Sequence, residues 1–495
     1  MALEAIQCQF ESDRGYNSLR SLAQAHKNRI VAQLVERLFY MQDVGGSSPS
    51  CPTTRFAHWR KRKKKIMKEE DFYCLTMFPY PSGDGLHVGH AYNYAVIDSY
   101  CRWKNFKGIS VFQPFGYDSF GLPAENQAKK EGGDPRRITY KNIERFRWQM
   151  QNMNTQFEEK LVTSDPSYQK WTQWLFLKLK DAGLAYKKVA PVNYCPSCET
   201  VLANEQVKEE KCDRCKSQVE VRELNQWFFK ITDYKDRLIK NLDWIDYPEK
   251  TKKQQRHWLE NLNDWCVSRQ RSWGCPIPVD GETDTLDTFV DSSFYYLRYL
   301  TDSDSEFLPK DEYKQVDLYV GGNEHACMHL IYARFINMFL YDQGIVTCEE
   351  PFKKLIHQGM ITKDGVKMSK SIGNVVNPDD YDPDELRMYL MFIGHYFEGG
   401  DWDDSKISGI RRALGKWNRW IEGVSEGVSE GVTAKDIIDL QYTIDGYVES
   451  FKFNKVISTL MEFYNKNKNK QLTGSTAAAL TEIVRCFAPN FNTGL

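Results

Sequence analysis

One stretch, Met77 to Lys104, constrains the fold more than any other part of the chain. The apolar run that precedes it, FYCLTMF from Phe72, predicts a strand, and prolines and glycines break the pattern directly afterwards. Apolar and aromatic residues then recur at helical spacing from Val88 to Tyr100. A strand, a glycine-rich loop and a helix start in this order offer free backbone N–H groups to phosphate. The stretch therefore predicts an α/β fold with a phosphate site.

Two histidines stand where this loop becomes helix. His87 and His90 are three residues apart, so they share one face of the first turn and can donate hydrogen bonds to phosphate oxygens as charge develops. Gly89 between them leaves room for a flat ring against the backbone. Alone, His-Val-Gly-His is a weak signal and favours a pair of histidines that cap a buried helix, so the rest of the chain must decide.

Composition limits the class of protein. A chain of 495 residues is long enough for two to four domains, and a net charge of −1 argues against nucleic-acid binding through overall charge. No apolar run is long enough for a membrane span, so we expect no membrane association. Thirteen cysteines, four of them in CxxC pairs, predict a reducing compartment, the cytoplasm, and a metal site.

The first 66 residues differ from the rest of the chain. They contain Gly-Gly-Ser-Ser-Pro-Ser from Gly45 and a basic run, Arg60 to Lys65. A transit peptide is disfavoured by the many acidic residues, and a basic arm for RNA is a second interpretation. The third is that Val31 to Pro52 resembles a tRNA gene translated in a protein frame. We favour the third, with Met67 as the true start and residues 1–66 as an extension without a fold of its own.

A second strand is predicted at Gly108 to Pro114, followed by GYDSFGLPAENQA. Asp118 then lies at the carboxyl end of a parallel strand, where open α/β sheets bind ligands. Helical spacing follows over Tyr140–Leu161 and Tyr168–Ala182.

Two CxxC pairs follow these helices. The four thiolates satisfy tetrahedral zinc and leave no open position, so we predict a structural rather than a catalytic metal. The predicted ligands are Cys195, Cys198, Cys212 and Cys215.

Tryptophans and arginines cluster between Leu262 and Pro278, after a segment read as helical from Trp227 to Trp258. One interpretation is an aromatic core with solvated arginines. The other is a contact surface for a phosphate backbone, formed by Trp265, Arg269 and Arg271.

A second α/β half occupies Thr283 to Pro378. Gly322 follows a predicted strand and lets a ligand approach the backbone, while Glu324 and His329 lie near the next helix start. Further on, KMSKS places Lys367 and Lys370 where two ammonium groups can reach a polyphosphate. From about residue 404 onward the sequence is helical and polar.

The order HVGH then KMSKS, one on each half of the predicted sheet, resembles class I aminoacyl-tRNA synthetases, and the other motifs narrow the resemblance to the bacterial-type leucyl enzymes. The similarity covers about Phe72 to Pro489. The motifs that carry it are MFPYPSG, GYDSFGLPAE, TVLANEQV, DWCVSRQRSWGCPIP, DTFVDSSFYY, GGNEHACMHLIYARF, HQGM and KMSKSIGN. The resemblance implies a split Rossmann-type parallel sheet with an inserted zinc ribbon, followed by an α-helical bundle.

The resemblance also implies a reaction: leucine and ATP form leucyl-adenylate, and the leucyl group passes to tRNA(Leu). ATP, Mg²⁺ and a structural Zn²⁺ are the implied ligands, and a monomer is the implied assembly. By similarity, the catalytic phosphate contacts are His87, His90, Lys367 and Lys370. The adenosine contacts are Gly89, Gly322, Glu324, Gln358 and Met360. The leucine contacts are Phe78, Tyr80, Asp118, Phe289, Ser292, Tyr295 and His329.

The expected domains follow from these motifs. They are the first catalytic half, 67–190; the zinc insertion, 191–222; a helical connection, 223–261; the second catalytic half, 262–405; and a tRNA-binding helical bundle, 406–495.

Two departures from the leucyl pattern stand out. Most leucyl enzymes insert an editing domain near His257–Trp265, whereas this chain runs straight across, so we expect no hydrolysis of mischarged tRNA. The helical bundle stops at Leu495 and the usual small C-terminal domain is missing, which we interpret as a truncated chain or weakened tRNA binding. The alternatives are a catalytically impaired RNA-binding paralogue and a ligase that charges a small molecule.

Overall fold

A computed structural model describes residues 71–81, 85–121, 125, 127–128, 132–202, 207–212, 215–368, 372–424 and 431–492. The interpretations of residues 1–66 and the position of Lys370 lie outside the described residues. The chain divides into two compact units, residues 1–65 with 104–110 and residues 66–103 with 111–495. In the first unit the structure describes residues 104–110. A helix ends in this segment, and the Gly108 N–H donates a hydrogen bond to the Asn105 carbonyl at 2.9 Å. All that follows concerns the second unit.

Between residues 72 and 402 of the described part, the chain forms both strands and helices. The strands are β1 Phe72–Thr76, β2 Val111–Phe112, β3 Pro114–Tyr117, β4 Glu158–Val162, β5 Ala185–Cys195, β6 Thr200–Leu202, β7 Val207–Lys208, β8 Lys211–Cys212, β9 Glu220–Phe229, β10 Trp265–Cys266, β11 Ser268–Arg269, β12 Thr285–Leu286, β13 Leu318–Val320, β14 Leu355–Ile356, β15 Met360–Lys363, β16 Val366–Lys367 and β17 Gly399–Trp402. The helices are α1 Val88–Phe106, α2 Pro135–Asn152, α3 Pro166–Asp181, α4 Lys235–Asn241, α5 Glu249–Glu260, α6 Thr288–Ser292, α7 Tyr295–Arg298, α8 His329–Asp342, α9 Pro383–Phe392, α10 Asp404–Glu422, α11 Ala434–Glu449, α12 Phe453–Asn467 and α13 Gly474–Arg485.

The central sheet is parallel and is assembled from both halves of the sequence. Its strand order is β14-β13-β1-β2, with β1 between β13 from the second half and β2 from the first. Four of the five residues of β1 are buried, as expected for a parallel strand covered on both faces. The predicted split parallel sheet is therefore confirmed.

Two predicted helices are shorter than the sequence suggested. The helix expected over Tyr140–Leu161 ends at Asn152, and Glu158–Val162 forms β4, which pairs in parallel with β3. Asn154 adopts a left-handed φ of 51°, which stops the helix and lets the chain turn towards β3. Likewise, the helix expected from Trp227 begins only after β9, because Trp227 lies in an antiparallel pair with β5.

Buried polar contacts join α1 to the elements of the second half. Asp98 on α1 forms an ion pair with Arg387 on α9 at 2.6 Å, and both side chains are inaccessible to solvent. The Tyr92 hydroxyl on the same helix donates to the Tyr396 carbonyl at 3.1 Å. The helices α10 to α13 follow, each with one buried apolar stripe, so the predicted C-terminal helical region is confirmed.

Candidate active site

The two histidines of HVGH are held by backbone N–H groups at the start of α1. The His87 Nδ1 accepts a hydrogen bond from the Gly89 N–H at 3.0 Å, and the His90 Nδ1 accepts one from the His87 N–H at 3.3 Å. The two rings lie 3.9 Å apart between centroids, and both residues are half-buried. Because each Nδ1 is an acceptor, the hydrogen of a neutral ring is on Nε2, and that atom is a donor.

Gly89 has a structural reason to be glycine. A Cβ added there would lie 2.8 Å from Cε1 and 2.9 Å from Nδ1 of His87. The flat ring expected against this backbone is therefore the imidazole of His87 itself.

The start of α1 is tied to the segment that follows KMSKS. The Val88 N–H donates to the Val376 carbonyl at 3.1 Å. Gln149, buried on α2, accepts from the Leu86 N–H at 2.6 Å and donates to the Asp379 carboxylate at 3.2 Å. The two signature motifs, almost 280 residues apart in sequence, thus belong to one connected structure.

Lys367 lies on an exposed hairpin formed by β15 and β16. The turn residues Asp364 and Gly365 have φ values of 53° and 71°, the pair of positive φ angles that a two-residue hairpin turn requires. Met368 directly after it is 5% exposed and anchors the end of the hairpin.

Asp118 directly follows β3 and is 1% exposed, as its predicted position at a strand end implies. Its Oδ1 accepts from the Thr288 hydroxyl at 2.9 Å, while Oδ2 has no hydrogen-bond partner among the described residues. Burial raises the pKa of Asp118 to about 8, although hydrogen bonding from Thr288 opposes that shift. A buried carboxylate with an open oxygen is suited to receive a cationic group.

Most of the predicted leucine contacts gather close to Asp118. The Phe78 ring stacks on the Tyr295 ring with centroids 3.9 Å apart and planes 4° apart. The Asp118 N–H donates to the Pro79 carbonyl at 3.0 Å, which places it beside Phe78. Phe289, Ser292 and His329 are buried, and Tyr80 is half-buried.

The predicted adenosine contacts lie around the end of β13 and the start of β15. A Cβ on Gly322 would lie 2.1 Å from a Glu324 carboxylate oxygen, so glycine lets that carboxylate lie against the backbone. The Gln358 Oε1 is buried and has no hydrogen-bond partner among the described residues, and Met360 is 48% exposed. His357 bridges the Gly321 carbonyl at 2.7 Å and the Thr251 hydroxyl on α5 at 2.8 Å.

The structure corrects the contact surface expected from the Trp/Arg cluster. Trp265 is 3% exposed, and its ring stacks on Tyr332 with centroids 3.8 Å apart. Arg269 is 5% exposed and forms an ion pair with Asp287 at 2.5 Å. Neither side chain reaches the surface. The Arg269 guanidinium instead compensates the buried carboxylate of Asp287 inside the protein.

Arg271 has a similar internal role with a residue that the sequence did not single out. Its guanidinium pairs with the Glu125 carboxylate at 2.9 Å. The other Glu125 oxygen accepts from the Ser272 and Trp273 N–H groups, both at 3.0 Å. The Trp273 indole N–H in turn donates to the Ser119 carbonyl at 2.8 Å, so this clamp fixes the backbone next to Asp118. In the sequence, only the position of Glu125 in the GLPAE motif indicated that it has a role.

The four cysteines of the CxxC pairs converge. Their Sγ atoms all lie within 4.8 Å of one another, and three of the four residues are buried. Tetrahedral zinc with Zn–S bonds of ~2.3 Å requires S···S separations of about 3.8 Å, so a small contraction would suit the ion. Although burial opposes it, hydrogen bonds from Ser217 lower the pKa of Cys215 to about 6. The residues present therefore fit a zinc ion.

Comparison with known proteins shows the family to which this chain belongs. The family model described as tRNA synthetases class I (M) matches residues 72–410. The leucine–tRNA ligase of Clostridium kluyveri is 33% identical, over 87% of this chain and 86% of that protein. The chain belongs to the leucine–tRNA ligase family of class I synthetases. The leucine–tRNA ligase of Clostridium perfringens strain SM101 agrees, at 32% identity over 86% of this chain and 85% of that protein.

Solved structures of synthetases share the fold. The Agrobacterium radiobacter K84 agnB2 LeuRS, solved in a ternary complex with tRNA and LeuAMS, matches with a TM-score of 0.80 and 25% identity, over 90% of this chain and 88% of that one. A Mycobacterium tuberculosis methionyl-tRNA synthetase bound by methionyl-adenylate matches with a TM-score of 0.67 and 19% identity, over 85% of this chain and 92% of that one. This leucine–tRNA ligase family member is thus a ligase with the predicted class I fold. Among its described residues, no helix is long and apolar enough to cross a membrane.

Proposed function

We propose that this enzyme activates leucine with ATP and charges tRNA(Leu), with the Asp118 carboxylate as the anchor for the leucine ammonium group. The observation that carries the proposal is the open Oδ2 atom of this buried side chain. An ammonium group would supply the charge and the hydrogen bonds that the carboxylate lacks. The stacked rings of Phe78 and Tyr295 beside it are suited to an isobutyl side chain.

The activation step needs positioning rather than covalent catalysis. A leucine carboxylate oxygen attacks the α-phosphorus of ATP, a new P–O bond forms, and the bond to pyrophosphate breaks. The Nε2–H groups of His87 and His90 would donate to phosphate oxygens, and Lys367 and Lys370 would neutralise the departing pyrophosphate. Mg²⁺, which proteins bind largely through substrate phosphates, supplies further positive charge there.

The adenosine of ATP would lie across the ends of the two halves. Gly322 and Glu324 form one side, and the open Oε1 of Gln358 is an acceptor for an exocyclic amine. Met360 is exposed enough to cover a flat base. Gly89 contributes indirectly, because it allows the His87 ring to fold back over the helix start.

We further propose that the enzyme has no editing activity of its own. The alignment with the Clostridium kluyveri enzyme extends over 700 residues, whereas 87% of this 495-residue chain is about 430 residues. The relative therefore carries a long segment without a counterpart here. In this chain α5, which ends at Glu260, is followed by β10 after four residues, so the connection is direct where the insertion was expected.

Amino-acid-dependent exchange between ATP and pyrophosphate tests the activation step. Leucine should give the highest kcat/KM in a panel of aliphatic amino acids. The reaction needs no tRNA, so it is independent of how the chain binds nucleic acid. A chain that exchanges with no amino acid is an impaired paralogue, and one that exchanges with leucine but never charges tRNA(Leu) is a small-molecule ligase.

A further inference from the structure

Four buried polar side chains form one chain of hydrogen bonds between β13, α6, α7 and α8. The Tyr295 and Tyr319 hydroxyl oxygens are 2.8 Å apart. The Tyr319 hydroxyl oxygen lies 2.7 Å from His329 Nε2, and His329 Nδ1 lies 3.2 Å from Ser292 Oγ. All four side chains are buried. We call these four residues the Tyr319 network.

The direction of each hydrogen bond in the Tyr319 network follows from its Ser292 end. The Ser292 hydroxyl donates to the Phe289 carbonyl at 3.3 Å, so its oxygen accepts from the His329 Nδ1–H. His329 Nε2 then carries no hydrogen and accepts from the Tyr319 hydroxyl. The Tyr319 oxygen accepts in turn from Tyr295. Burial lowers the pKa of His329 to about 3, so the ring is neutral and this arrangement is consistent.

The Tyr319 network is one short helix away from Asp118. Thr288, the first residue of α6, holds the Asp118 carboxylate, and Ser292, the last residue of α6, accepts from His329. Five helical residues span only ~6–8 Å, so the Asp118 partner and the Tyr319 network lie at opposite ends of one short element. At the other end of the network, the Tyr295 ring is stacked on Phe78.

We propose that Tyr319 is a positioning residue that sets the side-chain selectivity of the amino-acid pocket. Its hydroxyl holds the tilt of the His329 ring and the rotation of the Tyr295 hydroxyl, and every hydroxyl and ring hydrogen of the network is used inside the protein. The pocket wall is then rigid and offers no spare donor to a polar side chain, which would lose its water without gaining a partner. This inference rests on the proposed function of Asp118, and Tyr319 itself touches no substrate.

The test compares two tyrosine-to-phenylalanine variants. Tyr319→Phe removes the donor to His329 and the acceptor of Tyr295. Tyr296→Phe is the matched control, because Tyr296 is 1% exposed and its hydroxyl donates to Asn337 Oδ1 at 2.9 Å, outside the network. Both variants lose a buried hydrogen bond, and thermal unfolding measures the loss of stability in each. Exchange kinetics with leucine, isoleucine, methionine and norvaline measure selectivity.

We expect Tyr319→Phe to lower the preference for leucine over norvaline and methionine by about tenfold, through the leucine KM more than kcat. Tyr296→Phe should leave the preference within about twofold. If Tyr319→Phe does not fold, Ser292→Ala breaks the same network at its other end and should shift the preference in the same direction.

The outcomes separate this inference from the proposed function. Equal preferences in the Tyr319→Phe and Tyr296→Phe variants would overturn the role of Tyr319 and leave leucine activation intact. A wild-type enzyme that prefers another amino acid would overturn the proposed substrate, while a change of preference confined to Tyr319→Phe would still support the positioning role.

Discussion

At the scale of single residues, Asp118 shows the cost of preparing a binding site before the ligand arrives. Its folded pKa is about 8, against an ordinary value of 3.8, because burial penalises the charged form. The folded protein therefore holds a proton that the unfolded chain releases between these two values. The contribution of this carboxyl to stability is complete below pH 3.8 and is lost as the pH rises through 8.

The same shift predicts how leucine binding depends on pH. Because the ammonium group pairs with the charged carboxylate, the leucine KM should rise as the pH falls below about 8, with a limiting slope of about tenfold per pH unit. The KM for ATP in the same exchange assay is the reference and should not follow this slope. The variant Asp118→Asn should lose leucine-dependent exchange, yet unfold at a higher temperature than the wild type at pH 8. A leucine KM that stays flat from pH 6.5 to 8.5 would contradict the assignment.

Asp118 and its partner Thr288 differ in how far sequence could predict them. Asp118 follows an apolar strand, and the chemistry of strand ends predicts a ligand there. Thr288 lies 170 residues away and reaches Asp118 only through the tertiary fold, because the two residues follow strands of different sheets. The same reason explains the corrected roles of Trp265 and Arg269, since no local pattern distinguishes a buried ion pair from a surface arginine.

At the scale of elements, α1 and α2 contact the segment after KMSKS. These contacts set the position of HVGH relative to KMSKS. Gln149→Met should lower the exchange kcat by about 10–100-fold, because it leaves the Leu86 N–H and the Asp379 carboxylate without their shared partner. The leucine KM should change little, since Asp118 is held by other residues. Gln113→Leu is the matched control, because both polar side-chain atoms of that buried glutamine have no hydrogen-bond partner among the described residues. Equal kcat values for the two variants would exclude this role for Gln149.

The sequence predicted where helices and strands occur better than it predicted the residues at which they begin and end. The apolar spacing of Tyr140–Leu161 is helical to its end, but pairing of Glu158–Val162 with β3 overrides it. By contrast, the Asp-Gly turn before Lys367 follows from local backbone preference alone. Elements fixed by their own turns are predictable, whereas those fixed by a distant partner are not.

The four-cysteine segment has few buried apolar residues among those that the structure describes, so a metal held by the thiolates would add much of its stability. Its interior consists of Cys195, Cys198, Cys212 and Leu202, and β7 and β8 contain only two residues each. The purified protein should contain one zinc ion per chain, and Cys198→Ser should lose it and expose residues 195–215 to proteolysis. Cys348→Ser, outside the cluster, should keep the metal. Zinc that remains at full occupancy in Cys198→Ser would contradict four-cysteine binding.

At the scale of the whole molecule, α5 lies at the point where an inserted domain was expected. Its residues make contacts inside the protein there. Gln255 on this helix donates to the Ala326 carbonyl and accepts from Arg334, both at 2.9 Å. Arg334 in turn pairs with Glu350, and neither side chain is accessible to solvent. The connection where an insertion was expected is thus bound into the buried interior of the second half. The sequence predicted the direct connection but not the two contacts of Gln255, which cross 71 and 79 residues.

The proposed absence of editing predicts that the enzyme keeps the charging errors that it makes. An apolar pocket separates neighbours that differ by one methylene group by only about 10–200-fold, so norvaline will be attached to tRNA(Leu) at a measurable rate. Norvalyl-tRNA made by this enzyme should then decay at the rate seen in buffer alone when fresh enzyme is added, because no second pocket hydrolyses it. A leucyl enzyme that carries the editing insertion, added to the same norvalyl-tRNA, is the positive control and should clear it rapidly. Clearance by this protein at a rate proportional to its concentration would mean that the catalytic domain edits by itself, and the absence of the insertion would then say nothing about fidelity.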